Sequence, residues 1–216
     1  MQIVEFIVIR LSLLRHAKSD WDTDAASDYK RPLSQRGKTS APLMGDYIRS
    51  KSYIPDLVYC SAALRTRETF KLAFPDRENR PSVCFEENLY LADPNRILHM
   101  ARTSDSQSPN SVLSTLESSL LSTSANTKAV TDPLFPDHIM FIGHNPGLQS
   151  FALGMMTNKI SKNVRFQDAK KRIKTKFATA AFVLIEFETE LWAETAPGTG
   201  TLLDYMTPKL LAGLAT

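Results

Sequence analysis

Leu11-Ser12-Leu13-Leu14-Arg15-His16 decides how this chain folds. An apolar run ends abruptly in a cation and an imidazole, with no turn residue between them. A parallel strand buried on both faces reads this way, because only its end opens to solvent. The same pattern recurs twice. Leu57-Val58-Tyr59-Cys60 ends at Ser61, and Ile139-Met140-Phe141-Ile142 runs into Gly143-His144-Asn145-Pro146-Gly147. Val83–Leu89 and Ala180–Phe187 are further strand candidates.

Helical segments separate these runs. Ser34 offers an N-cap for a helix to about Lys51. Residues from Ala62 to Ala73 favour helix until Pro75 stops them. Asp93 caps a third helix, with Pro94 at its first position and an end near Arg102. Another helix follows Gly147 to about Met156. Residues 17–33 are polar and read as a loop, and the chain after Phe187 reads as an irregular tail ending near Pro208. Strands alternating with helices predict an α/β domain with a mainly parallel sheet. Ligands bind such sheets at the carboxyl ends of the strands. Arg15-His16, the segment Ser61 to Arg65, and His144 all lie just past strand ends. Three strands are thus expected to deliver Arg, Arg and His to one edge.

The bulk numbers fit one large domain with an ordinary core: 216 residues, 43% hydrophobic and 23% charged. The 26 basic and 23 acidic side chains leave a charge of +3, too small an excess to imply nucleic-acid binding. No run approaches the ~20 apolar residues of a membrane span. Residues 1–10 lack a signal peptide's basic start and cleavage site, and are expected to form an edge strand or extension. A cytoplasmic protein is expected, with Cys60 and Cys84 as reduced thiols. Around 104–136 the composition shifts: 11 of residues 106–127 are Ser or Thr. Leu113, Leu116, Leu120 and Leu121 keep a helical spacing there, predicting a weak surface helix within an insertion. The single domain is therefore expected over 11–216.

An arginine is costly to bury unpaired, so Arg15 beside His16 at a strand end points to an anion site holding a nucleophile or base. Arg65 falls in the first turn of its helix, where the dipole disfavours a cation unless an anion sits there. Arg67 is about 200° further round the helix and is not expected in the same pocket. His144, between Gly143 and Pro146, is the second histidine at a strand end. His99, mid-helix, and His138, before a strand, read as structural or surface residues. A zinc site from His16 and His144 would lack further ligands and be repelled by the arginines.

At these residues the sequence resembles the histidine phosphatase superfamily, specifically its SixA-like phosphohistidine phosphatase branch. Leu14-Arg15-His16-Ala17 is similar to the family's Arg-His opening motif, and Arg31-Pro32-Leu33-Ser34-Gln35-Arg36-Gly37 to its second block. Ser61 to Thr69, Leu89-Tyr90-Leu91-Ala92 and Gly143 to Gly147 are similar to three more, in the same order. The resemblance implies a three-layer α/β/α sandwich of the phosphoglycerate mutase-like type. It also implies roles: His16 as the nucleophile that becomes phosphorylated, and Arg15, Arg65 and His144 as ligands of the phosphoryl oxygens. Neither a metal nor another cofactor is then required, because the arginines stabilise the transferring group.

Family members that cleave alkyl phosphates use a carboxylic acid to protonate the leaving oxygen. Glu86 and Glu87 are the nearest candidates here, with Glu87 the first suspect, and neither is a firm match. A phosphohistidine leaves without such help. The expected substrate is therefore phosphohistidine in a protein, reached through a pocket with no capping domain. A small-molecule phosphatase of the superfamily is one alternative, and a non-catalytic phosphoprotein-binding module is another. The basic stretch 159–176 has one aromatic, Phe166, and so offers no stacking ladder for nucleic acid. It is either a solvated face or a dock for an acidic phosphoprotein.

Overall fold

The computed structural model describes residues 8–76, 78–106, 136–157 and 164–214. Six strands form one sheet in the order β3-β2-β4-β1-β5-β6. They are β1 (Ile9–Arg15), β2 (Leu57–Ser61), β3 (Ser82–Glu86), β4 (His138–Gly143), β5 (Phe182–Phe187) and β6 (Thr201–Met206). β1, β2, β3 and β4 pair in parallel, while β5 runs antiparallel to both β1 and β6.

The described helices are α1 (Gln35–Ser50), α2 (Leu64–Ala73), α3 (Pro94–Arg102), α4 (Gly147–Met155), α5 (Val164–Thr175) and α6 (Pro208–Ala212). The strand period of two divides the central residues between two cores. Leu11, Leu13, Ile139 and Phe141 pack under Ile97, Phe151 and Ile173 of α3, α4 and α5. Leu14, Val58, Met140 and Ile142 pack under Met44, Ile48 and Phe70 of α1 and α2. The result is a three-layer α/β/α sandwich with a mainly parallel sheet. No helix of the described residues is long and apolar enough to cross a membrane.

The caps predicted from sequence set the helix starts. Ser34 Oγ accepts from Gly37 N, and Asp93 Oδ1 accepts from the amides of Asn95 and Arg96. Two glycines permit close approaches that fix the site's walls. A Cβ on Gly37 would stand 2.1 Å from the Lys18 carbonyl oxygen, and one on Gly147 would stand 1.8 Å from that of Ala92.

Several boundaries differ from expectation. Ile9 and Arg10 belong to β1, because their backbones continue its pairing with Phe187, Glu186 and His138. β3 stops at Glu86, and Glu87–Leu89 turns as one 3-10 turn. Residues 17–33 contain a 3-10 turn, Asp28–Lys30, and a bridge between Ser19 and Leu33. Instead of an irregular tail, β6 closes the sheet and Thr207 caps α6. The strand was masked by Asp204, a charged residue inside it, which is buried as the hydrogen-bond acceptor of the Tyr47 hydroxyl. Part of the basic stretch is helical, as α5. The Ser/Thr-rich segment proposed as a surface helix lies outside the described residues, as do residues 1–7. Cys60 is buried and Cys84 half-buried, both as free thiols.

Candidate active site

β4 lies between β1 and β2, so the carboxyl ends of three parallel strands stand side by side. Arg15 is level with Gly143 in the ladder, and Cys60 with Ile142. Beyond the ladder, His16 N donates to Gly143 O at 3.1 Å. The next residue is tied to α2, with Ala17 N donating to Thr69 Oγ1 at 3.0 Å and Thr69 Oγ1 donating to Arg65 O at 2.6 Å. His16 and Arg65 are thus connected through three consecutive short links.

His16 is buried, and its Nδ1 lies 2.7 Å from the Ala17 carbonyl oxygen. A carbonyl only accepts, so Nδ1 carries the proton and Nε2 holds the free lone pair. Burial pushes the imidazole pKa from 6.5 down to about 3, and the Arg65 and Arg15 cations push the same way. The His16 ring is neutral at pH 7.

His144 has its ring centroid 5.1 Å from that of His16. Its Nδ1 accepts from Arg65 Nη2 at 3.2 Å, because guanidinium can only donate. Its Nε2 lies 2.9 Å from Ser61 Oγ and carries the ring proton. Burial again drives its pKa to about 3, helped by His16 and Arg65. Ser61 can donate as well as accept. A ligand that drew Arg65 away would therefore let His144 present Nδ1–H while Ser61 donates to Nε2.

The arginines carry the site's unspent donors. Arg15 Nη1 donates to Phe177 O at 2.7 Å, and burial holds the guanidinium pKa below its ordinary value. Arg65, 2% exposed, donates to the Asp28 carbonyl at 2.6 Å and to its carboxylate at 3.0 Å. Arg31 pairs with the same carboxylate at 2.8 Å and stacks on the Trp21 ring at 3.5 Å. The Nε atoms of all three arginines are buried without a hydrogen-bond partner. Buried unpaired N–H groups are rare in folded proteins and each is costly.

His16, Arg65 and His144 are thus brought together. Arg15 joins them through the strand end and through its electrostatic effect on both histidines. Arg67 is exposed and lies over the Phe85 ring instead, at 5.1 Å. His99 is exposed on α3, and buried His138 sits at the start of β4 with Nε2 2.9 Å from Ser12 Oγ. Glu87 is exposed in its 3-10 turn, and Glu86 lines a separate small hollow beside Tyr59 and Asn88.

Sequence reading missed Asp28, Arg31 and Tyr90 as members of the cluster. Tyr90 O–H donates to Asp28 Oδ2 at 2.7 Å, and its ring meets His144 edge-on at 5.3 Å. That hydrogen bond, with the arginines beside it, holds the Asp28 carboxyl below the usual carboxylate range. Arg31 and Tyr90 stood inside quoted motifs. Asp28 stood in a polar loop, where only the Arg-Pro three residues on marked its neighbourhood. Among the described residues, no three His, Cys, Asp or Glu side chains cluster as metal ligands.

Comparison with known proteins gives the following. The family model described as "Histidine phosphatase superfamily (branch 1)" matches residues 11–89. An uncharacterized chloroplastic protein of Arabidopsis thaliana is 45% identical over 62 residues, 29% of this chain and 28% of that protein. An uncharacterized protein of Mycobacterium tuberculosis is 26% identical over 91% of this chain and 100% of its own length. Among solved structures, one from Nakamurella multipartitia assigned as a phosphohistidine phosphatase SixA has a TM-score of 0.65 at 21% identity, over 93% of this chain and 96% of that chain. The protein histidine phosphatase SixA complexed with tungstate has a TM-score of 0.58 at 18% identity, over 94% and 99%. At these identities the solved structures establish a shared fold.

Proposed function

We propose that this chain, whose residues 11–89 match the family model of the histidine phosphatase superfamily, is a phosphatase working through a covalent phosphohistidine on His16, with phosphohistidine in a protein as its substrate. The observation that carries the proposal is a neutral imidazole with a free Nε2, set among three arginines whose Nε–H groups are buried and unpartnered. A transferring phosphoryl group spreads its charge over three equatorial oxygens, and fixed guanidinium donors match that distribution.

In the first step His16 Nε2 forms a bond to phosphorus while the P–N bond to the substrate's imidazole breaks. The leaving imidazole keeps the electron pair and takes a proton from solvent. In the second step water attacks phosphorus, the P–Nε2 bond breaks, and inorganic phosphate leaves with His16 restored. Arg15, Arg65 and His144 bind the phosphoryl oxygens in both steps. Arg31 adds positive charge at the rim.

The choice of substrate rests on the lack, among the described residues, of a carboxylic acid placed to protonate a leaving oxygen. Asp28, the carboxylate touching the cluster, is held ionised by Tyr90 and the arginines, so it has no proton to give an alkoxide at pH 7. Glu87 is exposed in a 3-10 turn. An imidazole or an aryl oxide leaves without that proton.

The test uses a phosphohistidine-bearing domain, an aryl phosphate and an alkyl phosphate, each with wild type and His16→Ala and with chelator present. Turnover of the first two substrates, none of the third, and loss of both with His16→Ala is expected. Rapid alkyl phosphate turnover would refute the acid-free scheme. Binding of the phosphodomain without turnover would leave only a recognition module.

A further inference from the structure

A basic cleft lies on the side of the molecule where α5, α6 and the start of α1 meet. Its volume is about 730 Å³, and Arg36, Lys171, Arg172, Lys176 and Lys209 line it. Asp168 is the one carboxylate in the lining, and Arg172 Nε already holds it at 2.6 Å. Arg36, Lys171, Lys176 and Lys209 make no ion pair among the described residues. These cations come from three separate elements, so helix-dipole compensation at the end of α5 does not account for the group.

The cleft does not end there. Asp168, Arg172, Tyr205, Leu210 and Leu214 also line a second hollow of about 440 Å³, which reaches Lys51 and Tyr47. Two confluent hollows make a groove suited to an extended segment rather than to a single small anion. The groove also adjoins the active site through the backbone. Lys176, Ala178 and Thr179 line it, while Phe177 between them gives its carbonyl to Arg15. One residue further on, Ala180 N donates to the carbonyls of Arg15 and His16, at 3.1 Å each.

We propose that this groove docks an acidic segment of the phosphorylated protein whose phosphoryl group enters the His16 site. The inference deepens the phosphatase reading and rests on it for the identity of the partner. Charge complementarity favours an acidic polypeptide. Three aromatics line the two hollows, but Tyr47 and Tyr205 are buried and Phe166 packs against the core, so none offers an open platform on which bases would stack. Clustered surface cations act chiefly on encounter, and salt screens them within about 10 Å at 0.1 M. The groove therefore lowers KM for protein substrates at low salt and leaves turnover of small ones alone.

The experiment uses the full chain with Lys171→Glu and Lys209→Glu combined, two residues from different helices and outside the catalytic cluster. Unchanged aryl phosphate turnover and circular dichroism establish that the variant folds. A fluorescein-labelled glutamate-rich peptide is titrated into wild type and variant by anisotropy at low salt. An oligo-deoxythymidylate of equal charge is titrated in parallel. Expected is peptide binding weakened at least tenfold in the variant, with a matching rise in KM for the phosphohistidine domain and no change in its kcat. Equal peptide affinity in the two proteins, absence of peptide binding to wild type, or tighter binding of the oligonucleotide would overturn the proposal. Charge-dependent peptide binding by a wild type that fails to dephosphorylate the domain would uphold the acidic dock and refute the substrate reading instead.

Discussion

Acidification from pH 7.5 to 5.0 should strip this fold of about 6 kcal/mol, and three buried imidazoles supply the figure. His16 and His144 are each held at a pKa of about 3, and His138 at about 4, against 6.5 for an ordinary histidine. Burial is the first cause in every case. The folded form therefore prefers the neutral ring, so the unfolded chain binds more protons below pH 6.5. This contribution to stability is intact above pH 7. It falls by about 1.4 kcal/mol per pH unit per histidine below 6.5, and stops falling below each folded pKa. At pH 5 each of the three has lost about 2 kcal/mol, and the result depends only on the folded values lying below about 4. The total is comparable with the whole stability of many domains, about 5–15 kcal/mol. Urea unfolding at the two pH values measures it directly. His138→Asn, remote from the catalytic cluster, should shrink the pH difference by about a third. A stability at pH 5.0 within about 1 kcal/mol of that at pH 7.5, or imidazole resonances titrating near pH 6.5 in the folded protein, would refute the reasoning.

Other substitutions probe the site's connections. Asp28→Asn keeps a hydrogen-bonding group beside Arg65 and Tyr90 but removes the negative charge that an incoming phosphoryl group must face. Inhibition by inorganic phosphate should tighten about fivefold, roughly 1 kcal/mol for a half-exposed charge in solvent; weaker inhibition would mean that Asp28 serves mainly to orient Arg65. Ser61→Ala leaves His144 Nε2 without its partner at 2.9 Å. Loss of that buried bond, worth about 1–3 kcal/mol, should lower kcat about tenfold or more with a smaller change in KM, and an unchanged kcat would exclude any positioning by Ser61. Gly147→Ala drives a Cβ to 1.8 Å from the Ala92 oxygen, against backbone rather than a flexible side chain. A fall in Tm of about 5 °C or more is expected from about 2 kcal/mol of strain, measured by thermal melt.

The parallel core strands were legible in the sequence because each is apolar enough to be buried on both faces and ends in residues that are not. Ser34 and Asp93 marked helix starts for an equally local reason: each side chain caps its own backbone. β6 was hidden because the signal that would have revealed it is non-local. Asp204 fits a strand only once Tyr47, 157 residues away in sequence, donates its hydroxyl to it. The same distinction separates the site residues. Arg15, His16 and His144 occupy strand ends, which the hydrophobic pattern locates. Asp28 enters the cluster because a single 3-10 turn carries its carbonyl and carboxylate to Arg65, 37 residues on, and no periodicity records that.

The electrostatics of the site explain why Asp28 is there at all. Arg15, Arg31 and Arg65 all act on the buried His16 ring, and each raises the cost of placing the others nearby. Neutral imidazoles relieve part of that cost, since His16 and His144 give up their protons rather than add charge. The remainder needs an anion. Asp28 supplies one from the chain itself, reaching Arg31 and Arg65 with one carboxylate and adding its backbone carbonyl to Arg65. It does so from an exposed turn, with nearly half of its side chain in solvent. An exposed carboxylate is a weak ion-pair partner, since water competes for both charges. A dianionic phosphoryl group with three acceptor oxygens is the stronger ligand for the same forks. Under the proposed phosphatase function, the cluster folds without a ligand and then exchanges its own carboxylate for phosphate. A fully buried counter-ion would have achieved only the first.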